Sequence, residues 1–152
     1  MRYALLALLA CHGLASAAVS TDFAGKLNEA AGVKVAWNAA KLRTADVDCD
    51  GKPDLIAFGT NHGLVWMGII ASGSGKAQVM SFPLRKGSQD SFDSPPTRIS
   101  VYPLICETAE DAYLDGCRQV RGCKSFSLDN DQTDPFDFYW DARHKRLGWW
   151  RN

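Results

Sequence analysis

The chain has 152 residues, 46% of them hydrophobic and 22% charged, with 17 Lys+Arg set against 17 Asp+Glu. That length fits one domain behind a leader, and the even charge balance argues against nucleic acid, whose recognition needs a basic excess or stripe. No segment reaches the roughly 20 apolar residues that cross a bilayer, so no transmembrane segment is expected.

Met1-Arg2-Tyr3, the apolar run Ala4 to Ala10 and the small residues Ala15-Ser16-Ala17 form a basic start, a short hydrophobic stretch and a small-x-small site. This is the pattern of a secretory signal peptide over residues 1–17, cut after Ala17 or Ala18. Residues 18–152 are then the mature domain of an exported protein, periplasmic or secreted, and the short signal points to a bacterial source. Leu8-Leu9-Ala10-Cys11 offers a second reading, a lipoprotein anchored at Cys11. Removal of the leader leaves Cys49, Cys106, Cys117 and Cys123, an even number that predicts two disulfides in an exported chain. Four cysteines allow three connectivities. Proximity favours Cys117 with Cys123, leaving Cys49 and Cys106 to tie the acidic loop to the middle of the chain. A zinc site is disfavoured by the lack of a Cys-x-x-Cys pair, with His62 and His144 the only histidines outside the leader.

Thr21 or Asp22 is expected to cap a short helix carrying Phe23, Leu27 and Ala30 at helical spacing and stopping at Gly32. Strands and turns follow. Leu55-Ile56-Ala57-Phe58 and Leu64-Val65-Trp66-Met67-Gly68-Ile69-Ile70 are joined by Thr60-Asn61-His62-Gly63. Ser72-Gly73-Ser74-Gly75 turns the chain into Ala77-Gln78-Val79-Met80-Ser81-Phe82, giving a meander. Residues 87–96, rich in Ser, Asp and Pro, predict an exposed loop. Arg98-Ile99-Ser100-Val101-Tyr102 and Ser125-Phe126-Ser127-Leu128 predict strands, and the stretch between Cys106 and Cys123 a turn of helix followed by loop. Asp137 to Asp141 and Leu147 to Arg151 predict a terminal hairpin. The expected fold is therefore mainly β, an antiparallel meander with a short N-terminal helix in one small disulfide-stabilised domain.

Between the helix and the first long strand lies Asp46-Val47-Asp48-Cys49-Asp50-Gly51-Lys52-Pro53-Asp54-Leu55. Ca²⁺ takes six to eight oxygens at about 2.3–2.6 Å, and clustered carboxylates with a backbone carbonyl supply them. Asp46, Asp48 and Asp50 are the expected side-chain ligands. Gly51 permits the turn, Lys52 offers its carbonyl, and Asp54 closes the site directly or through water. The many flexible oxygens favour Ca²⁺ over Mg²⁺. The twelfth position of an EF-hand is here Ala57, inside an apolar strand, so the loop is not an EF-hand. Over residues 44–68 the D-x-D-x-D-G-x-x-D-L run, the following strand, the glycine-bearing turn and the second strand resemble the calcium loop of FG-GAP (integrin-type) repeats. The resemblance implies a structural Ca²⁺. It departs from the family in occurring once and in placing Cys49 inside the loop.

Other chemistry is sparse. Asp90, Asp93, Asp129, Asp131, Asp134, Asp137 and Asp141 supply carboxylates for a glycosidase-like pair, and Asp129-Asn130-Asp131 offers a second, weaker calcium loop. His62 reads as a turn residue, and Arg143, His144, Lys145 and Arg146 as a solvated hairpin tip. Alternation puts Phe136, Phe138 and Trp140 on one face of the last hairpin and Tyr139 on the other. One aromatic face is then expected outside, with Tyr139, Trp149, Trp150 and Arg151 forming a binding patch, since such residues dominate interface hot spots. The sequence thus predicts a non-catalytic binding or structural module that meets another protein or a cell-envelope component. An inhibitor or immunity-type protein of a periplasmic hydrolase, presenting residues 87–96, is the first alternative. A metal-dependent hydrolase is the second.

Overall fold

The computed structural model describes residues 15–108 and 112–151. Most of the expected signal peptide (residues 1–17), including Cys11, lies outside the described residues. Helix α1 (Ala15–Ala31) runs through the expected cleavage point and begins earlier than the Thr21 or Asp22 cap. Gly32 ends it in the left-handed conformation at φ 67°, its N–H returning to the Glu29 carbonyl at 3.2 Å. Glycine pays no Cβ penalty for that cap.

One antiparallel sheet contains β1 (Ala36–Trp37), β2 (Arg43–Ala45), β3 (Asp54–Asn61), β4 (Leu64–Ile70) and β5 (Ala77–Pro83). β3, β4 and β5 form the expected meander. β1 and β2 were not foreseen; they pair with successive halves of β3, through Ala36↔Thr60 and Arg43↔Ile56. The β3–β4 hairpin turns on His62 and Gly63, both at positive φ (47° and 74°). That is the backbone of a type I′ turn, whose twist matches the flanking strands. His62 is thus a turn residue, as its context predicts.

The second antiparallel sheet runs β6 (Arg98–Pro103), β7 (Lys124–Asp129), β8 (Phe136–Asp141) and β9 (Arg146–Trp150) in sequence order. The inner faces of the two sheets share one core. Ile56, Phe58, Val65, Met67 and Ile69 come from the first sheet, and Ile99, Phe126, Leu128, Phe136, Phe138 and Leu147 from the second. Phe82 and Phe92 join them, with Phe92 stacked on Phe136 at 4.3 Å. Fully burying one such side chain contributes about 1.5–3 kcal/mol. The buried Phe92 corrects the expectation that residues 87–96 are all exposed. Phe92 pairs its backbone with Pro83 and Arg85 and draws the loop back onto β5.

Both sheets are also covered on the outside, and β4, at the centre of the first, is accordingly apolar without a break. Phe23 and Leu27 of α1, one helical turn apart, pack with Ala57 and Ile70 on the outer face of the first sheet. A Cβ on Gly68 would come within 2.7 Å of a Leu27 methyl, so this glycine admits the helix. Asn28 Oδ1 accepts from Val35 N and Trp37 Nε1, both at 2.9 Å, tying α1 to β1. On the outer face of the second sheet lie Leu104, Cys106, Leu114, Cys123 and Tyr139. No helix occurs here among the described residues. The segment instead forms turns and two isolated bridges, Glu107↔Tyr113 and Cys117↔Asp141.

The disulfides are Cys49–Cys123 and Cys106–Cys117, so the expected pairing is overturned. Proximity in sequence misled because Cys123 immediately precedes β7, beside the acidic loop, while Cys106 and Cys117 fold together over the outer face of β8. At the seam between the sheets, Gln78 of β5 donates to Lys145 O and accepts from Leu147 N, both at 3.2 Å.

Candidate metal site

The acidic loop connects β2 to β3, whose register closes at Ala45↔Asp54. Its shape follows from side chains bonding nearby amides. Asp48 Oδ1 accepts from Asp50 N at 3.1 Å, Asp50 Oδ1 from Lys52 N at 2.8 Å, and Asp46 Oδ2 from Gly51 N at 3.1 Å. Gly51 (φ 85°) and Cys49 (φ 64°) supply the left-handed steps. Aspartate favours such local bonding over a ladder, which bends the chain back on itself.

Asp46, Asp48 and Asp50 converge, each offering a carboxylate oxygen within 4.8 Å of the others. Two oxygens bound to one Ca²⁺ lie at most about 5 Å apart, so the spacing suits a shared cation. Asp46 Oδ1 is buried and has no hydrogen-bond partner. An acceptor left in that state costs about 1–3 kcal/mol, more when charged, so the donor set fits a cation in electronic terms as well as in spacing. Burial, followed by the charge of Asp54, raises the Asp48 carboxyl above its ordinary value. The charges of Asp50 and Asp46 add to this, and the Asp50 N–H bond opposes it.

The structure separates Asp54 from the other three. It is fully buried, with Oδ2 accepting from Val47 N (2.8 Å) and Asp48 N (3.1 Å) and Oδ1 from Ser72 N (2.9 Å). Its carboxylate organises the loop backbone and joins it to the β4–β5 turn. Lys52, the expected carbonyl ligand, is exposed and donates its amide to Asp50. Gly73 of the β4–β5 turn packs against Asp50, where a Cβ would fall 1.8 Å from Oδ2. From the opposite side Cys123 bridges to Cys49, and Lys124 N donates to Asp46 O at 2.8 Å.

The expected aromatic patch is only partly on the surface. Tyr139 is 8% exposed and donates its hydroxyl to Asp115 O at 3.0 Å, so it is not available to a surface patch. Leu104, Cys106 and Leu114, from a segment expected to be a turn of helix followed by loop, cover this face and bury Tyr139. Trp149 packs edge-on to Phe82 at 5.3 Å, and Trp150 packs on Tyr139 at 5.8 Å. Arg151 lies over Phe136 at 4.7 Å and donates to the carbonyls of Gln89, Ser91 and Asp134. Trp149, Trp150 and Arg151 line an open cleft of about 1140 Å³ together with Asp90, Asp93 and Asp134.

The Asp129-Asn130-Asp131 turn already holds a cation of its own, because Arg98 pairs with both Asp129 and Asp131. Sequence reasoning missed that arginine, 31 residues away in the chain, because only the β6–β7 pairing brings it there. It also missed His144, whose Nδ1 lies 2.6 Å from Asp141 Oδ2 while its backbone N–H reaches Oδ1 at 3.0 Å. The Asp-x-x-His spacing across a hairpin turn was the available signal. Burial disfavours a charged Asp141, but these His144 bonds, the imidazole charge and the Arg143 amide outweigh it and hold the carboxyl below its ordinary value. Within the second sheet Tyr102 donates to Asp137 at 2.5 Å, and burial, then that bond, pushes the phenol well above its ordinary range.

Among the described residues no helix is long and apolar enough to cross a membrane. Comparison with protein-family models, curated proteins and solved structures found no match.

Proposed function

We propose that this chain is an exported, non-catalytic binding or structural module whose Asp46–Asp48–Asp50 loop holds a structural Ca²⁺. The carrying observation is the convergence of three carboxylates around a buried Asp46 oxygen that no donor serves. The passage from loop to strand, two-residue turn and second strand supports the FG-GAP-like reading of residues 44–68. Export rests on the leader-like first 17 residues and on two disulfides, which persist in oxidising compartments. The partner is another protein or a cell-envelope component, met at the cleft beside Trp149 and Trp150. Anchoring of residues 87–96 by Phe92 and Arg151 favours this module over an inhibitor that inserts a free loop.

With the ion bound, Asp46, Asp48 and Asp50 would neutralise it and the β2–β3 connection would close around it, linking metal binding to folding. Calorimetric titration of chelator-treated protein with Ca²⁺ and with Mg²⁺, alongside thermal melts, tests the reading. Saturable Ca²⁺ binding with stabilisation of about 2.7 kcal/mol at a hundredfold excess over Kd is expected. Absence of binding, with identical melts in chelator and in Ca²⁺, reduces the acidic run to a polar turn.

A further inference from the structure

We propose that the Cys49–Cys123 disulfide is the positioning element of the cation loop, so that metal affinity and the redox state of this one bridge are coupled. The inference rests on the reading of Asp46, Asp48 and Asp50 as a cation site. Cys49 stands between two of those ligands, in a left-handed conformation that a non-glycine residue adopts at a cost. Its sulfur is joined to Cys123, which is 2% exposed and fixed just before β7. The next residue, Lys124, holds the Asp46 carbonyl at 2.8 Å. Two consecutive residues, Cys123 just before β7 and Lys124 at its start, therefore grip the middle of the ligand run and the first ligand residue.

The bridge spans 74 residues of chain and, of the two disulfides, is the one that ties the β2–β3 connection to the chain entering β7. Without it, mutual repulsion of three carboxylates and relaxation of the Cys49 backbone both favour an open loop. Cys106–Cys117 closes 11 residues over the outer face of β8, in the same apolar cluster as Cys49 and Cys123 but linked to no residue of the ligand run, and serves as an internal control. A dithiol reductant cleaves the bridge by thiolate attack on one sulfur. A mixed disulfide forms, and the second thiol of the reductant then displaces it, leaving Cys49 and Cys123 as thiols and the reductant as its cyclic disulfide. Cys49 is the accessible target, being half-buried where Cys123 is buried. Coupling is reciprocal. If the bridge tightens Ca²⁺ binding by a given factor, Ca²⁺ must stabilise the bridge against reduction by the same factor.

The test has two arms, both on the full oxidised chain. In the first, Ca²⁺ is titrated into wild type, the Cys49→Ser/Cys123→Ser pair and the Cys106→Ser/Cys117→Ser pair. The expected result is a Kd weakened about ten-fold or more in the first pair and little changed in the second. In the second arm, wild type is equilibrated with graded dithiothreitol, with Ca²⁺ or with chelator, and free thiols are trapped and mapped by mass spectrometry. Ca²⁺ should raise the dithiothreitol needed to open Cys49–Cys123 and leave Cys106–Cys117 unmoved. This arm needs no variant and so holds even if the Cys49 pair fails to fold. Tight binding by wild type with equal Kd in both serine pairs, or equal reduction of Cys49–Cys123 with and without Ca²⁺, overturns the coupling alone. Oxidised wild type that does not bind Ca²⁺ overturns the cation reading and the coupling together.

Discussion

Asp54→Asn separates the carboxylate that shapes the acidic loop from those that would hold an ion. Asp54 accepts three backbone amides on two oxygens, at 2.8, 3.1 and 2.9 Å, and is fully buried. Asparagine has one acceptor oxygen. Turned toward Val47 and Asp48 it keeps two bonds, now without charge, and sets its NH₂ against the Ser72 amide. A hydrogen bond to a charged group is worth about 1.5–3 kcal/mol, and two opposed buried donors add a desolvation cost. The expected loss is about 3 kcal/mol, or roughly 10 °C in melting temperature for a domain of this size. Because the role is in the backbone, the loss should appear in chelator as well as in Ca²⁺. Asp48→Asn should behave oppositely. Its Oδ1 bond to Asp50 N is one an asparagine can make, and removing one of several repelling charges should leave stability in chelator equal or slightly higher. It should lose only the Ca²⁺-dependent part. Urea unfolding of both variants in chelator and in Ca²⁺ decides. Asp54→Asn lying within about 0.5 kcal/mol of wild type in chelator would refute the assignment.

Two further outcomes are expected. Gly73→Ala should weaken Ca²⁺ binding about ten-fold, or ~1.4 kcal/mol, while leaving the chelator-treated melt nearly unchanged. The new methyl displaces the exposed Asp50 side chain, a small cost without the ion and a lost ligand with it; calorimetry beside chelator melts reads both. Asp141, whose carboxyl is held below its ordinary value, contributes stability that is fully present above the unfolded carboxylate range near pH 4 and lost as pH falls through the folded value. The stability difference between wild type and Asp141→Asn, measured by urea unfolding from pH 7 to pH 2, should therefore shrink only below about pH 4.

The elements legible in the sequence were those whose pattern is local. β4 and β5 show as apolar runs bounded by Ser-Gly and Asn-His-Gly turns, and α1 shows in Phe23, Leu27 and the Gly32 stop. The acidic loop was equally plain, because its Asp–amide bonds span only a few residues. What was missed depends on distant pairing. β1 is two residues long and exists because Asn28 and the edge of β3 hold it. Phe92, in a polar stretch, is buried because Phe136 and Phe82 leave a slot for it. Cysteine pairing followed spatial neighbours rather than chain neighbours, since the β6–β7 pairing sets Cys123 next to the acidic loop. Arg98 looked like an ordinary strand end until the same pairing delivered it to Asp129 and Asp131.

The Gln78 carboxamide occupies a position that matters beyond the folded monomer. β9 is the last strand of its sheet, and an unpaired strand rim is a template on which a neighbouring chain can add its own backbone. A single side chain reaching from the other sheet imitates that missing neighbour, offering one donor to Lys145 O and one acceptor to Leu147 N. The rim is thus occupied from within. A chain that folds from an extended state passes through states in which its hydrophobic hairpins are open to others of its kind. In those states this amide is absent from its post. The closing of the two sheets, which seats it, therefore also caps the Leu147 end of that edge against another chain.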